Sequence, residues 1–316
     1  MSDILFVKTS SFGDLVHQMP ALSEARRHGP GGRFCWVVEE PFAPLVRLHP
    51  AVDEVILAPS RRWRRALHLP STMREVRDLL RVLRARHFEA IIDTQGLLRS
   101  ALIAHFARGR SHGFDSKYIR EPIASWFYNE RHSVSRDLHA VVRNRMLTGM
   151  ALGYAPEGEP DFGLNRAALA APADAPYAVL LHGTSRAGKE WPVERWIALG
   201  QALSGRKLTL VLPWGNATEQ DRANRIAASV PNADVPAWRP LSEMIHVIAG
   251  ASLVIGVDTG LMQLAGALGV PSVAVFVATT PGLTSPVGPG KIEVIGGKQI
   301  GVPTVADVLS AVERVC

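Results

Sequence analysis

The sequence predicts an α/β protein made of two doubly wound domains, and three observations lead there. Near the start, Ile4, Leu5, Phe6 and Val7 form an apolar run of strand length, followed by the small polar turn 8–14 and a helical stripe of Leu15, Met19 and Leu22. Far along the chain the pattern returns. Residues 253–257 are an apolar strand, Asp258, Thr259 and Gly260 make the turn, and Leu261, Leu264, Ala265 and Leu268 recur at helical spacing until Gly269 and Pro271 stop the helix. Third, 316 residues are long for one core and comfortable for two. Two βα units with ligand-type turns, one in each half, predict domains facing each other across a cleft, with ligands outside the carboxyl ends of the strands.

Composition separates the halves. The Ala- and Pro-rich stretch 163–176 reads as an interdomain linker, giving an N-terminal domain over 1–165 and a C-terminal domain over 175–316. Residues 1–165 hold 23 Lys+Arg against 18 Asp+Glu, a net of +5, and the remainder holds 12 against 11, a net of +1. A basic domain beside a near-neutral one points to a polyanion for the first half: nucleic acid, anionic lipid or a charged sugar. An aromatic-interleaved RNA-binding signature and zinc spacing are both missing, so nucleic acid is not expected. Cys35 and Cys316 are too few and too far apart for a disulfide framework or a Cys-rich metal site, which suits a reducing cytoplasm. Asp3, Lys8 and Asp14 interrupt the apolar stretch a signal peptide needs, and no run of 18 apolar residues occurs. A soluble or peripheral protein is expected.

The two turns carry the chemistry. The N–H groups of Thr259, Gly260 and Leu261 would sit unpaired at a helix N-terminus, whose partial positive charge favours phosphate. Taken alone, Asp258 reads first as an ordinary helix N-cap. Asp14 opens a helix after a small-residue turn, where a carboxylate can take a proton from a sugar hydroxyl; the competing reading is a first-turn acid that complements the helix dipole.

Between the turns, residues 183–189 satisfy the first seven positions of a P-loop, yet Glu190 stands where Ser or Thr must ligate magnesium and Pro192 follows. The P-loop is rejected. Thr184 and Ser185 still offer hydroxyls and Lys189 a mobile ammonium at a strand end, and a solvated loop is the alternative. Glu219 follows the strand-to-turn junction of Leu210, Val211, Leu212 and Pro213, where a carboxylate commonly holds ribose hydroxyls; an ordinary first-turn acid is the competing and more common reading. In the first half, Arg61, Arg62, Trp63, Arg64 and Arg65 form a candidate clamp for an anionic sugar on a predicted loop, or a solvated face. A helix with an inner stripe of Met73, Val76, Leu79, Leu80 and Leu83 follows, started by a Thr72/Glu75 capping box. Residues 91–96 give another strand-end acid and glycine. Lys8, His112, Lys117, Arg120, His139 and Arg143 are further acceptor-side candidates, each with a structural or solvated role as the alternative, and His139 and Arg143 share an i,i+4 face.

The segments KTSSFGD, WVVEEPFA, RRWRR, DTQGLLRSA, REPIASWFYN, GKEWP, LPWG and VDTGL run in order over nearly the whole chain. In these the chain resembles the lipopolysaccharide heptosyltransferase I family, and RRWRR and REPIASWFYN favour the first enzyme of the heptose series. The resemblance implies the GT-B fold and inverting transfer of L-glycero-D-manno-heptose from ADP-heptose to the Kdo residue of Kdo2-lipid A. It implies no cofactor beyond the donor substrate, no protein-bound metal, a monomer, and peripheral work at the cytoplasmic face of the inner membrane. Asp14 matches the family's catalytic base; Thr184, Ser185 and Lys189 match its donor-contacting positions; Glu219 matches its ribose-binding glutamate, and Asp258, Thr259, Gly260 and Leu261 its phosphate turn. Gln263 stands where the family pattern has His, and Arg239 replaces a Met near the adenine. Heptosyltransferase II or another nucleotide-sugar transferase of this fold is the enzymatic alternative, and a non-catalytic binder of anionic glycolipid the alternative from another class. A dinucleotide oxidoreductase is disfavoured because no G-x-G-x-x-G follows the first strand.

Overall fold

A computed structural model describes residues 3–66, 68–171, 175–184 and 186–316. The chain divides into two compact units, Met1–Gly163 and Leu164–Cys316.

The first unit is built on β1 (Asp3–Val7), β2 (Phe34–Val38), β3 (Glu54–Leu57), β4 (Phe88–Asp93), β5 (Gly109–Phe114) and β6 (Glu130–His132). They form one parallel sheet in the order β3-β2-β1-β4-β5-β6. Every residue of β1 and β2 is buried, as expected for central parallel strands covered by helices on both faces. Phe6 and Phe34 pack across the β1–β2 pair with ring centroids 5.3 Å apart. The second unit repeats the plan with β7 (Tyr177–Leu181), β8 (Thr209–Val211), β9 (Ala233–Asp234), β10 (Leu253–Val257), β11 (Ser272–Phe276) and β12 (Ile292–Gly296), in the order β12-β11-β10-β7-β8-β9. Strand order reverses between β1 and β4 in one unit and between β7 and β10 in the other. In open parallel sheets that reversal opens a crevice at the carboxyl ends of the two strands, because their connections leave in opposite directions. Residues 8–14 and 93–96 therefore meet in the first unit, and residues 182–184 and 258–261 in the second.

One buried charge cluster ties the end of the first unit to its core. Arg145, 10% exposed, reaches Glu24, 1% exposed, through a fork of two bonds of 3.0 and 2.9 Å. The Glu24 carboxylate also accepts from Glu157 N at 2.9 Å, while the guanidinium donates to the carbonyls of Glu157 and Gly158.

Three local readings change. Residues 60–65 form a helix, Ser60–Arg65, where a loop was expected; the buried Glu39 carboxylate accepts from Ser60 Oγ (2.5 Å) and Arg61 N (3.0 Å), satisfying its first turn. The next helix, Pro70–Arg84, starts two residues before Thr72 because Pro70 takes the first helical position, so Thr72 and Glu75 form no capping box. Thr72 is buried and Met73 is 54% exposed, which moves the inner stripe to Thr72, Leu79 and Leu83. Finally, part of the stretch read as a linker is folded. Asn165 caps a short helix, Arg166–Leu169, and Arg166 donates to the carbonyls of Ala249 (3.0 Å) and Ala251 (2.8 Å) in the second unit.

Candidate active site

At the carboxyl ends of β1 and β4 lies a pocket of about 520 Å³. Its wall carries seven cations, Lys8, Arg61, Arg64, Arg99, Arg120, Arg136 and Arg143, against two carboxylates, Asp14 and Glu121. Such an excess of positive charge suits a polyanionic ligand. Asp14 belongs to the helix Phe12–Val16, whose N-cap is Ser11. Its Oδ2 accepts from Ser11 N at 2.9 Å and Ser11 Oγ at 2.8 Å. The helix-start reading is realised, and the same carboxylate lines the pocket. Burial pushes the Asp14 pKa up, but the charge of Lys8 and the Ser11 bonds outweigh it and hold the carboxyl below its ordinary value. Asp14 is an ionised acceptor at neutral pH. Lys8 is itself buried, donating to Thr94 O (3.0 Å) and Asn144 Oδ1 (3.4 Å), and burial lowers its pKa against the pull of Asp14 and Asp93.

The acceptor candidates separate. Arg61, Arg64, Arg120, Arg143 and Lys8 line the pocket. Arg62 turns away to Glu75 (2.9 Å) and Glu40 (3.4 Å), and Arg65 is exposed off the wall. The reason is helical: residues 61 and 64 share one face of Ser60–Arg65, while Trp63 on another face is buried. His139 is the N-cap of the helix Ala140–Leu152, its Nδ1 accepting from Val141 N at 3.2 Å, and does not line the pocket. Arg143 does, with its guanidinium 4.4 Å from the Phe114 ring centroid.

Sequence reasoning missed Gln95, Arg99, Arg136 and Asn144. Gln95 Oε1 accepts from Thr9 N (2.6 Å) and Thr9 Oγ1 (2.9 Å), locking the turn after β4 to the turn after β1. Arg99 donates to Ser10 Oγ at 2.9 Å. Beneath them Asp93, fully buried, accepts from Tyr128 OH (2.7 Å) and Gln95 N (2.8 Å), and burial raises its pKa. The acid and glycine at 93–96 were a visible signal; nothing in the sequence distinguished Gln95 or Arg99 until strand order placed them beside Thr9 and Ser10.

The second unit has a pocket of about 490 Å³ bounded by Gly183, Thr184, Gly215, Asn216, Glu219, Trp238, Thr259 and Leu261 among others. Thr259, with extended backbone, is the N-cap of the helix Gly260–Ala267. This corrects the reading of Asp258 as the cap. Asp258 instead takes Lys189 Nζ at 2.5 Å and Thr279 Oγ1 at 3.0 Å, so Lys189 is held in an ion pair. Among the described residues, no acceptor takes the N–H groups of Thr259, Gly260 or Leu261. Unpaired N–H groups at a helix N-terminus favour an anion. Thr184 Oγ1 donates to Asp258 O at 3.2 Å; Ser185 lies outside the described residues. Gln263 is buried and donates to Thr284 O at 2.7 Å, away from the pocket wall.

Glu219 sits in the first turn of the helix Ala217–Ala227, its N–H bonded to the Asn216 side chain (3.0 Å) and its Oε2 accepting from Gly215 N (2.7 Å). That leaves a carboxylate fixed at the end of β8, beside the apolar side chains of Trp214, Trp238, Leu241 and Met244. The pairing suits a ribose next to a planar base. Trp238, 56% exposed, had no sequence signal of its own. Gly183 supplies the space: a Cβ there would fall 2.6 Å from the Glu219 carboxyl carbon. Because that carboxylate is the free end of a side chain, Gly183→Ala is expected to fold normally, displace Glu219 and weaken nucleotide binding about tenfold, measured by titration calorimetry.

Two sheets in the dinucleotide-binding order, one presenting an ionised carboxylate among arginines and the other a bare helix N-terminus with a ribose-type glutamate, define a glycosyltransferase that takes a nucleotide-linked donor. Residues 76–305 match the family model described as Glycosyltransferase family 9 (heptosyltransferase), and the chain belongs to that family. It is 43% identical to lipopolysaccharide heptosyltransferase 1 of Pseudomonas aeruginosa over 92% of this chain and 82% of that one. It is 42% identical to the protein of the same name from Escherichia coli over 89% of each. The solved structure of E. coli heptosyltransferase WaaC with ADP superposes with a TM-score of 0.90 at 38% identity, covering 99% of this chain and 100% of that one. The fold is therefore GT-B. Among the described residues no group of three or more His, Cys, Asp or Glu is placed to hold a metal, and no helix is long and apolar enough to cross a membrane.

Proposed function

We propose that this enzyme transfers L-glycero-D-manno-heptose from ADP-heptose to the Kdo residue of Kdo2-lipid A, with inversion, in building the lipopolysaccharide inner core. The observation that carries the reading is the single ionised aspartate inside a pocket otherwise dominated by cations. An anionic sugar is drawn in by Arg61, Arg64, Arg120, Arg143 and their neighbours, and Asp14 is the group that can take the proton of its attacking hydroxyl. The heptose arrives on ADP. Glu219 holds the ribose, the Trp214/Trp238 side receives the adenine, and the N–H groups of residues 259–261 with Lys189 stabilise the charge that grows on the departing diphosphate. ADP is a good leaving group, so no strong general acid is required. The enzyme works as a monomer, peripherally, at the cytoplasmic face of the inner membrane, where the basic first unit meets anionic lipid.

The test is a substrate panel read by mass spectrometry: ADP-heptose or an ADP-hexose, against Kdo2-lipid A or the same acceptor already carrying one heptose. Addition of one heptose to unmodified Kdo2-lipid A is the expected result. Turnover only of the heptosylated acceptor would move the enzyme to the second step of the series, and binding of acceptor without turnover of any donor would leave a glycolipid binder.

A further inference from the structure

We propose that the short 3-10 helix Pro122–Phe127 is a membrane-anchoring ridge that sets the mouth of the first unit's pocket against an anionic bilayer. The inference rests on the lipid-linked acceptor assigned above. A 3-10 helix has three residues per turn, so side chains three apart eclipse each other. Ile123 and Trp126 therefore stand one above the other, and they are 49% and 73% exposed, while Ala124 and Ser125 between them are buried. Four of the chain's other tryptophans, Trp36, Trp63, Trp191 and Trp196, are buried. A ridge of indole and sec-butyl groups held in water is unfavourable unless something apolar covers it.

Its position says what covers it. The residues just before the ridge, Arg120 and Glu121, line the cationic pocket. Glu121 is the helix N-cap, its carboxylate accepts from Leu98 N at 2.7 Å, and its own N–H donates to Gly96 O at 3.2 Å. The ridge is thus fastened to the pocket wall. An acceptor with acyl chains keeps them in the bilayer, so the mouth through which its sugar enters has to lie at the bilayer surface. Exposed Lys117 and Arg120 flank the ridge on its N-terminal side and suit anionic headgroups. Tryptophan is the side chain that settles at the headgroup boundary, its apolar ring in and its N–H toward water. Phe106, 38% exposed, extends the apolar edge from the helix Leu98–Phe106, which is joined to the ridge by His105 against Phe127 at 5.6 Å.

The experiment compares the full-length wild type with the double variant Ile123→Ser/Trp126→Ser, both positions being exposed enough to leave the core untouched. Flotation with vesicles of phosphatidylethanolamine and phosphatidylglycerol is measured beside kcat/KM on Kdo2-lipid A in the same vesicles and on a deacylated, water-soluble form of it. The variant is expected to bind vesicles about tenfold more weakly or worse, to lose kcat/KM on the vesicle-borne acceptor by a similar factor, and to keep wild-type turnover of the deacylated one. Vesicle binding equal to wild type, or an equal loss on both acceptors, overturns the ridge. Wild-type protein that floats in a ridge-dependent way but turns over neither acceptor supports the ridge and overturns the acceptor assignment instead.

Discussion

Replacing Asp14 by Asn is expected to lower kcat by about a thousandfold, within the span of roughly 10² to 10⁴ that a positioned general base contributes, while the acceptor KM stays close to wild type. Asn keeps the size and can still accept a hydrogen bond from Ser11, so the start of the helix Phe12–Val16 survives. What it cannot do is take a proton. If Asp14 served only as a first-turn acid, the substitution would cost about 1 kcal/mol of stability and leave turnover intact, so the two roles give opposite kinetic results. The pH profile adds a second reading. With the carboxyl held below its ordinary value chiefly by Lys8 and Ser11 against the effect of burial, Asp14 is already ionised well below neutral pH. No acid limb from this group is expected in kcat/KM between about pH 5 and 8. An acid limb that appears in that window and persists in the Asn variant belongs to another residue.

The largest expected effect on stability is at Glu24. Removing it as Glu24→Ala leaves the Arg145 guanidinium buried without its counter-ion, which costs about 3 to 5 kcal/mol, seen as a lower denaturant midpoint for the first unit. The double change Glu24→Leu/Arg145→Met removes both charges and is expected to recover much of that loss. The sign of the pH dependence follows from the folded state. Burial opposes the charge on Glu24, but the Arg145 and Glu157 hydrogen bonds outweigh it and lower its pKa. Its stabilisation is therefore present above the unfolded glutamate value of about 4.3 and is lost as pH falls through the lower folded value. The gap between wild type and Glu24→Ala should close under acid, as monitored by urea unfolding across pH.

The sheets were legible because parallel strands buried on both faces are short, continuous apolar runs, and Ile4–Val7 and Leu253–Val257 stand out as such. The positions of the turns after them were legible for a related reason: a small polar stretch marks where the apolar strand run ends and the helical stripe begins. Partner choice was not legible. Asp258 and Lys189 are 69 residues apart and meet only when β10 lies beside the start of the second unit, so cap and ion pair could not be told apart from spacing. Gln95 and Arg99 became site residues through the β1–β4 pairing, and Arg62 left the site through the rotation of a helix too short for a periodicity signal. Long-range register, which no local pattern encodes, decided each of these.

The central claim is that the second unit holds a nucleoside diphosphate at the start of the helix Gly260–Ala267. A crystal structure of the enzyme with ADP tests it most directly. Diphosphate oxygens about 3 Å from the N–H groups of residues 259–261, with the ribose hydroxyls on Glu219, are the predicted result. A diphosphate bound away from that helix terminus, or a ribose that leaves Glu219 untouched, would contradict the account.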